Sequence, residues 1–222
     1  MLKKIISGND DRVSRLHDEK GNRINFDRFC RNAPLAVCTG IGRILFDLRP
    51  QLPWISYDAI RFFKGWLSPD KTVLEFGSGM STIWYARRAK HVYSVEDYAP
   101  WQHKVTKMLA SAGASNVKLE FRTGQEYSQF MRDGGVSMDM VMVDGSNRAT
   151  CAETAIALIK NDGVIYLDNS DKHSSPTGGD TRDAENILLD FAKERGAIIS
   201  YFTDFCPCEF FVQQGMLIQL ED

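Results

Sequence analysis

From Thr72 onward the chain alternates short apolar runs with longer stretches of helical periodicity, and this alternation restricts the fold more than any other feature. Val73, Leu74 and Phe76 read as a first strand. Gly77 and Gly79 break it, and Ser81 and Thr82 open a helix carrying Ile83, Trp84 and Ala86. His91–Glu96 is a second strand, followed by a helix over 100–112 in which Trp101, Val105, Met108, Leu109 and Ala112 share a face. Val117–Phe121 is a third strand, 125–131 a short helix, and Met138–Val143 a fourth strand apolar enough to be buried on both faces. A helix over 149–159, a fifth strand over 163–167 and a helix capped by Thr181 and ended by Gly196 come next. Strands over 197–203 and 210–220 finish the chain as an antiparallel pair. The predicted fold is α/β: a doubly wound, mostly parallel sheet with a C-terminal antiparallel strand.

Sheets of this kind bind ligands beyond the carboxyl ends of their strands. Those ends carry Glu75, Glu96-Asp97, Arg122-Thr-Gly-Gln-Glu126, Asp144 and Asp168-Asn169, a mainly acidic row. A nicotinamide dinucleotide would lay a pyrophosphate on the first turn, where Glu75 repels it. The segment Gly77-Ser-Gly-Met-Ser-Thr82 also lacks the third glycine of that fingerprint. S-adenosylmethionine has no phosphate; its sulfonium and ammonium suit carboxylates, and its ribose diol suits an acceptor at the end of the second strand. Glu96 has that spacing. The expected cofactor is therefore S-adenosylmethionine. A nicotinamide-dependent oxidoreductase and a non-catalytic nucleoside-binding module are the alternatives.

Residues 1–55 read as an N-terminal helical extension, a candidate lid over a substrate, and residues 56–222 as the catalytic domain. Within the extension Phe26, Phe29, Leu35, Val37, Ile41, Ile44, Leu45, Phe46 and Leu48 can supply one or two short helices, punctuated by Pro34, Pro50 and Pro53. A helix over 56–67 follows, with Ser56 as N-cap. A formal net charge of -2 and the absence of a basic patch argue against nucleic acid. No apolar run is long enough to span a bilayer, and the N-terminus lacks the apolar core of a secretory signal, so a cytoplasmic protein is expected. The five cysteines read as reduced thiols. The expected partner is a small-molecule acceptor, with neither membrane nor nucleic acid; a homo-oligomer is compatible with this.

The segments Val73-Leu-Glu-Phe-Gly-Ser-Gly79, Val92-Tyr-Ser-Val-Glu96 and Asp139-Met-Val-Met-Val-Asp-Gly145 resemble the class I S-adenosylmethionine-dependent methyltransferases over roughly residues 70–222. That resemblance implies a Rossmann-like, seven-stranded sheet and methyl transfer, with Gly77 and Gly79 under the methionine part and Glu96 on the ribose. Gly124 and Gln125 match an adenine-contacting segment of the catechol O-methyltransferase branch. The cofactor set is thus Glu75, Gly77, Ser78, Gly79, Ser81, Thr82, Glu96, Gly124, Gln125 and Asp144. Trp101 is a candidate neighbour of the adenine, or simply a core residue.

Asp144, Asp168 and Asn169 resemble the magnesium ligands of the catechol and caffeoyl-CoA O-methyltransferase branch, which implies O-methylation of a small hydroxylated metabolite or sugar-containing precursor. Adjacent strands lie about 4.8 Å apart, so acids at their ends can share a hard cation. An Asp-Asn pair also serves as a turn that caps its own backbone. That branch has a lysine base three residues after the first Asp, where this chain has Asn147; Arg148, next to it, can hold an anionic substrate. Asp144, Lys172 and His173 are the candidates for proton transfer. Ser174–Gly179 is a second candidate lid, and Trp54 and Tyr57 can wall the acceptor pocket.

Overall fold

A computed structural model describes residues 11–172 and 179–221. Its elements alternate as the sequence predicts. Helices α1 (Phe26–Phe46) and α2 (Tyr57–Trp66) precede β1 (Thr72–Phe76), α3 (Met80–Ala86), β2 (His91–Glu96), α4 (Ala99–Ser111) and β3 (Val117–Phe121). The chain continues through α5 (Gly124–Ser128), β4 (Met138–Val143), α6 (Arg148–Leu158), β5 (Ile159–Leu167), α7 (Thr181–Arg195), β6 (Ile198–Phe205) and β7 (Val212–Gln219). The seven strands form one sheet in the order β3-β2-β1-β4-β5-β7-β6. β1 to β5 are parallel, and β7 runs antiparallel between β5 and β6. The strand order reverses beside β1, so the carboxyl ends of β1, β2 and β4 open onto the crevice where such sheets bind ligands.

The strands pack on both faces because successive side chains alternate. In β4, Val141 and Val143 enter one core with α6 and α7, while Met140 and Met142 enter the other with α2 and α3. β5 repeats this, with Ile165 and Leu167 on one side and Val164 and Tyr166 on the other. Ser56 caps α2 by accepting from Ala59 N at 3.2 Å, as its position predicts.

Three local expectations need correction. The extension forms one helix of 21 residues, not one or two short ones, and Pro34 lies inside it. A proline there removes one backbone donor; docking of the opposite face holds the helix together. Asn32 Nδ2 donates to Asp204 Oδ2 at 2.6 Å, and the Phe210 ring packs so closely on Gly40 that a Cβ there would lie 2.4 Å from it. β5 begins at Ile159 rather than at 163, paired with Met138 ahead of a register shift. Asp180, not Thr181, is the N-cap residue of α7. Its carboxylate accepts from the backbone N–H groups of Arg148 and Ala149, capping α6 instead.

The segment before α1 is also fastened to the sheet. Val212 N donates to Arg15 O at 2.9 Å, and the carboxylate of Asp18 accepts from Gln214 Nε2 at 3.2 Å. No helix among the described residues is long and apolar enough to cross a membrane.

Candidate functional site

The turn after β1 is shaped by close backbone contact. Gly77 has φ +91°, and a Cβ there would sit 2.8 Å from the carbonyl oxygen of Asp144. Glycine satisfies both demands. Below the turn, Glu75 is 1% exposed. Its carboxylate accepts hydrogen bonds from the hydroxyls of Ser81, Thr82 (2.6 Å) and Ser94 (3.0 Å), tying the start of α3 and the middle of β2 to β1. Burial pushes Glu75 up to about 7, against the pull of those three hydroxyls. Glu75 therefore supports the turn from behind and lines neither cavity described below.

Glu96 braces the turn from the side. One carboxylate oxygen accepts from Ser78 N (3.0 Å) and Ser78 Oγ (2.8 Å), and the other from Tyr98 N (3.1 Å). Trp101 Nε1 donates to Ser78 O at 2.7 Å. Beside these residues lies a cavity of about 120 Å³ lined by Trp54, Ser78, Gly79, Met80, Ser81, Trp101 and Asp144. Its wall is partly aromatic and its floor is the glycine turn. A Cβ at Gly79 would meet nothing nearer than Ser81 Oγ at 3.7 Å, so the space above that glycine is open to a ligand.

A second cavity, about 340 Å³, adjoins it and shares Trp54 and Asp144. Arg12 and Glu19 line it from the N-terminal segment, Asp168, Asn169 and Lys172 from the end of β5, and Phe211 and Gln213 from the β6–β7 hairpin. Trp54 Nε1 and Asp168 Oδ1 are buried without a hydrogen-bond partner among the described residues. Two polar atoms left in this state in one place mark a site that a ligand or water completes. Burial, followed by the charge of Asp144, pushes the Asp168 carboxyl well above the usual range, and Arg148 opposes this.

Arg148 reaches into the group expected to hold magnesium. Its Nη1 donates to Asp168 O at 2.6 Å and its Nε to Gly145 O at 2.9 Å. Its Nη2 lies 3.4 Å from Asp144 Oδ1 and 3.5 Å from Asn169 Oδ1. The guanidinium thus reaches the side-chain oxygens of Asp144 and Asn169 and only the main-chain oxygen of Asp168, and these bonds absorb donors that a substrate anion would need. Among the described residues no group of three or more His, Cys, Asp or Glu side chains could hold a metal ion.

The structure brings Ser78, Gly79, Ser81 and Asp144 to the smaller cavity, and Asp144, Asp168, Asn169 and Lys172 to the larger. Gly77, Thr82 and Glu96 shape the turn and line neither cavity. Gly124 and Gln125, exposed at the start of α5, line neither cavity, and Tyr57 is buried in the α2 core. His173 and the loop 174–178 lie outside the described residues. Sequence reasoning missed Arg12 and Glu19, which come from a segment with no periodicity to orient them.

No family model matches the chain, and no curated protein matches it. Solved structures do. The O-methyltransferase TomG from Streptomyces achromogenes, involved in tomaymycin synthesis and solved with SAM, is 19% identical at a TM-score of 0.62, covering 89% of this chain and 97% of that one. An O-methyltransferase from Bacillus cereus, in complex with SAH, is 16% identical at a TM-score of 0.63, covering 84% and 97%. An rRNA methylase from Streptococcus thermophilus is 14% identical at a TM-score of 0.54, covering 72% and 93%. The chain has the class I methyltransferase fold, as its resemblance to that family implies.

Proposed function

We propose that this chain is an S-adenosylmethionine-dependent methyltransferase acting on a hydroxyl of a small molecule. The observation that carries the reading is the pair of adjoining cavities joined by Asp144 and Trp54, one floored by the glycine turn and one rimmed by acids. The solved O-methyltransferases of the same fold add support from analogy. The cofactor supplies an electrophilic methyl on a sulfonium. Gly77 and Gly79 would let the backbone approach its methionine part, Glu96 would accept from its ribose, and Trp101 would wall its base.

The chain's own residues do the positioning. An acceptor held in the larger cavity would face the smaller one across Trp54 and Asp144, which line both. Asp144 stands at the junction and takes the hydroxyl proton, with Lys172 on the rim as the other titratable candidate. The larger cavity mixes the acids Glu19, Asp144, Asp168 and Glu209 with Arg12 and Lys172, a polar lining that suits a hydroxylated metabolite. Residues 11–24 act as a wall of the acceptor pocket, through Arg12 and Glu19. Calorimetry with S-adenosylhomocysteine and with NADH tests the reading. The first should bind and the second should not, and Glu96→Ala should weaken the first roughly 10-fold or more. Binding of NADH alone, or S-adenosylhomocysteine affinity untouched by Glu96→Ala, would sink the assignment.

The residues present do not fit magnesium, because a guanidinium already lies beside Asp144 Oδ1 and Asn169 Oδ1, two of the expected ligand oxygens. We propose that the guanidinium offsets the charge of Asp144 instead, and that the reaction needs no divalent ion. Titration with Mn²⁺, followed by its electron paramagnetic resonance, should show no binding to the native chain at millimolar ion and measurable binding to Arg148→Ala. Tight binding to the native chain would refute the proposal.

A further inference from the structure

Helix α1 is mounted with most of its large apolar side chains facing away from the domain; Phe29, packed beside Phe205, is the inward exception. Its small and polar residues Asn32, Ala36 and Gly40 are the buried ones. They are locked to the body by the Asn32–Asp204 bond, by the Phe210 ring on Gly40, and by Cys208 N donating to Thr39 Oγ1 at 3.0 Å. The opposite face carries Phe26, Val37, Ile41, Ile44 and, just past the helix, Leu48, which are 45–77% exposed. With the exposed Cys30 and Pro34 these follow a spacing of three and four residues, the seam of a helix that packs against another helix.

We propose that this seam is the two-fold interface of a homodimer, in which α1 packs antiparallel against α1 of a second copy. The seam is self-complementary. Antiparallel pairing about Val37 sets Phe26 against Leu48 and Cys30 against Ile44, and the reciprocal contacts follow from the symmetry. An apolar hollow of about 480 Å³, lined by Leu16, Ile24, Phe26 and Phe29, lies at the start of the helix, where the other copy's Leu48 arrives. The exposed fractions of the seam correspond to about 600 Å² of apolar surface per copy, as large as the biggest patches on monomers. Across two copies that is about 1,200 Å², the size at which specific stable interfaces begin. An anionic membrane surface is the poorer occupant. The basic residues of the helix are already paired, Arg28 and Arg31 with Asp58 at 2.6 and 2.9 Å and Arg43 with Glu209 at 2.8 Å.

Sedimentation velocity of the full chain tests this. The native chain should sediment as a dimer, with twice the 25.1 kDa chain mass, at tens of micromolar. Ile44→Glu should weaken the dimer roughly 100-fold while leaving the thermal midpoint of the S-adenosylhomocysteine-bound chain near that of the native monomer. Should Ile44→Glu fail to fold, Val37→Cys in a chain carrying Cys30→Ser and Cys38→Ser should form a disulfide-linked dimer under mild oxidation. A native chain that is monomeric overturns the proposal. So does a dimer that survives Ile44→Glu, or a correctly folded Val37→Cys chain that does not cross-link. A native monomer that instead co-sediments with phosphatidylserine vesicles gives the seam to a membrane and overturns it too.

Discussion

Glu75 shows how a residue can have a legible place and a less legible task. Its position at the end of β1 is written in the sequence, and a carboxylate there suggests attraction for a cationic ligand. In the folded chain its oxygens are committed to Ser81, Thr82 and Ser94, so its direct work is to lock the turn. That burial has a measurable consequence. In an unfolded chain a glutamate titrates near pH 4.3, whereas here burial holds Glu75 at about 7. Below the lower value both states carry the proton. As pH rises through the window between the two values, the unfolded chain releases its proton while the folded chain keeps it. Stability therefore falls with rising pH there, by up to roughly 4 kcal/mol once the window is passed. Denaturant titrations between pH 4 and 8 should show this slope, and Glu75→Gln, neutral throughout, should flatten it. An unchanged slope in that variant would assign the pH dependence elsewhere. Arg148 is the opposite case. Its spacing after Asp144 is plain in the sequence, but its use as an internal cation depends on where β5 ends in space. One-dimensional order carries no such distance.

At the scale of elements, the sheet was legible because its strands are apolar runs bounded by glycine, serine and aspartate. Met138–Val143, buried at all six positions, is the clearest example. The start of β5 was not, because Lys160, Asn161 and Asp162 are polar and fall in the register shift between the Ile159–Met138 and Val164–Met140 pairs. α1 was not legible for a related reason. Hydrophobic periodicity locates a helix by assuming that its apolar face turns inward, and here that face turns outward while Asn32, Ala36 and Gly40 dock. Pro34 strengthened the expectation of a break. The docking contact at Gly40 supplies its own check. Any Cβ there collides with the Phe210 ring, which can only move away from the helix. Gly40→Ala should cost about 1–3 kcal/mol, lowering the melting temperature by roughly 2–10 °C. A melting temperature raised by the better helix former would mean that α1 is not held through Phe210.

For the whole molecule, the sheet is the fixed frame, and the two cavities hang on its rim where loops and the N-terminal segment meet. Local stability should be graded accordingly. β4 and β7, buried along nearly their whole length in the middle of the sheet, should exchange their amide hydrogens most slowly. β3 lies at one edge with every residue at least partly exposed, and α4 buries only Val105 and Leu109; both should exchange much faster. A ligand held by the glycine turn would act on that graded frame locally. Adding S-adenosylhomocysteine should slow exchange at residues 77–82 and 96–101, which share the Ser78–Glu96–Trp101 bonds, and leave β6 and β7 as they were. Protection that instead spreads to β6 and β7, or appears only on α1, would place the ligand outside the crevice. Slowing confined to the turn would tie the chemistry to the point where the strand order reverses, and would separate that site from the outward face of α1, whose protection should depend on protein concentration and not on the nucleoside.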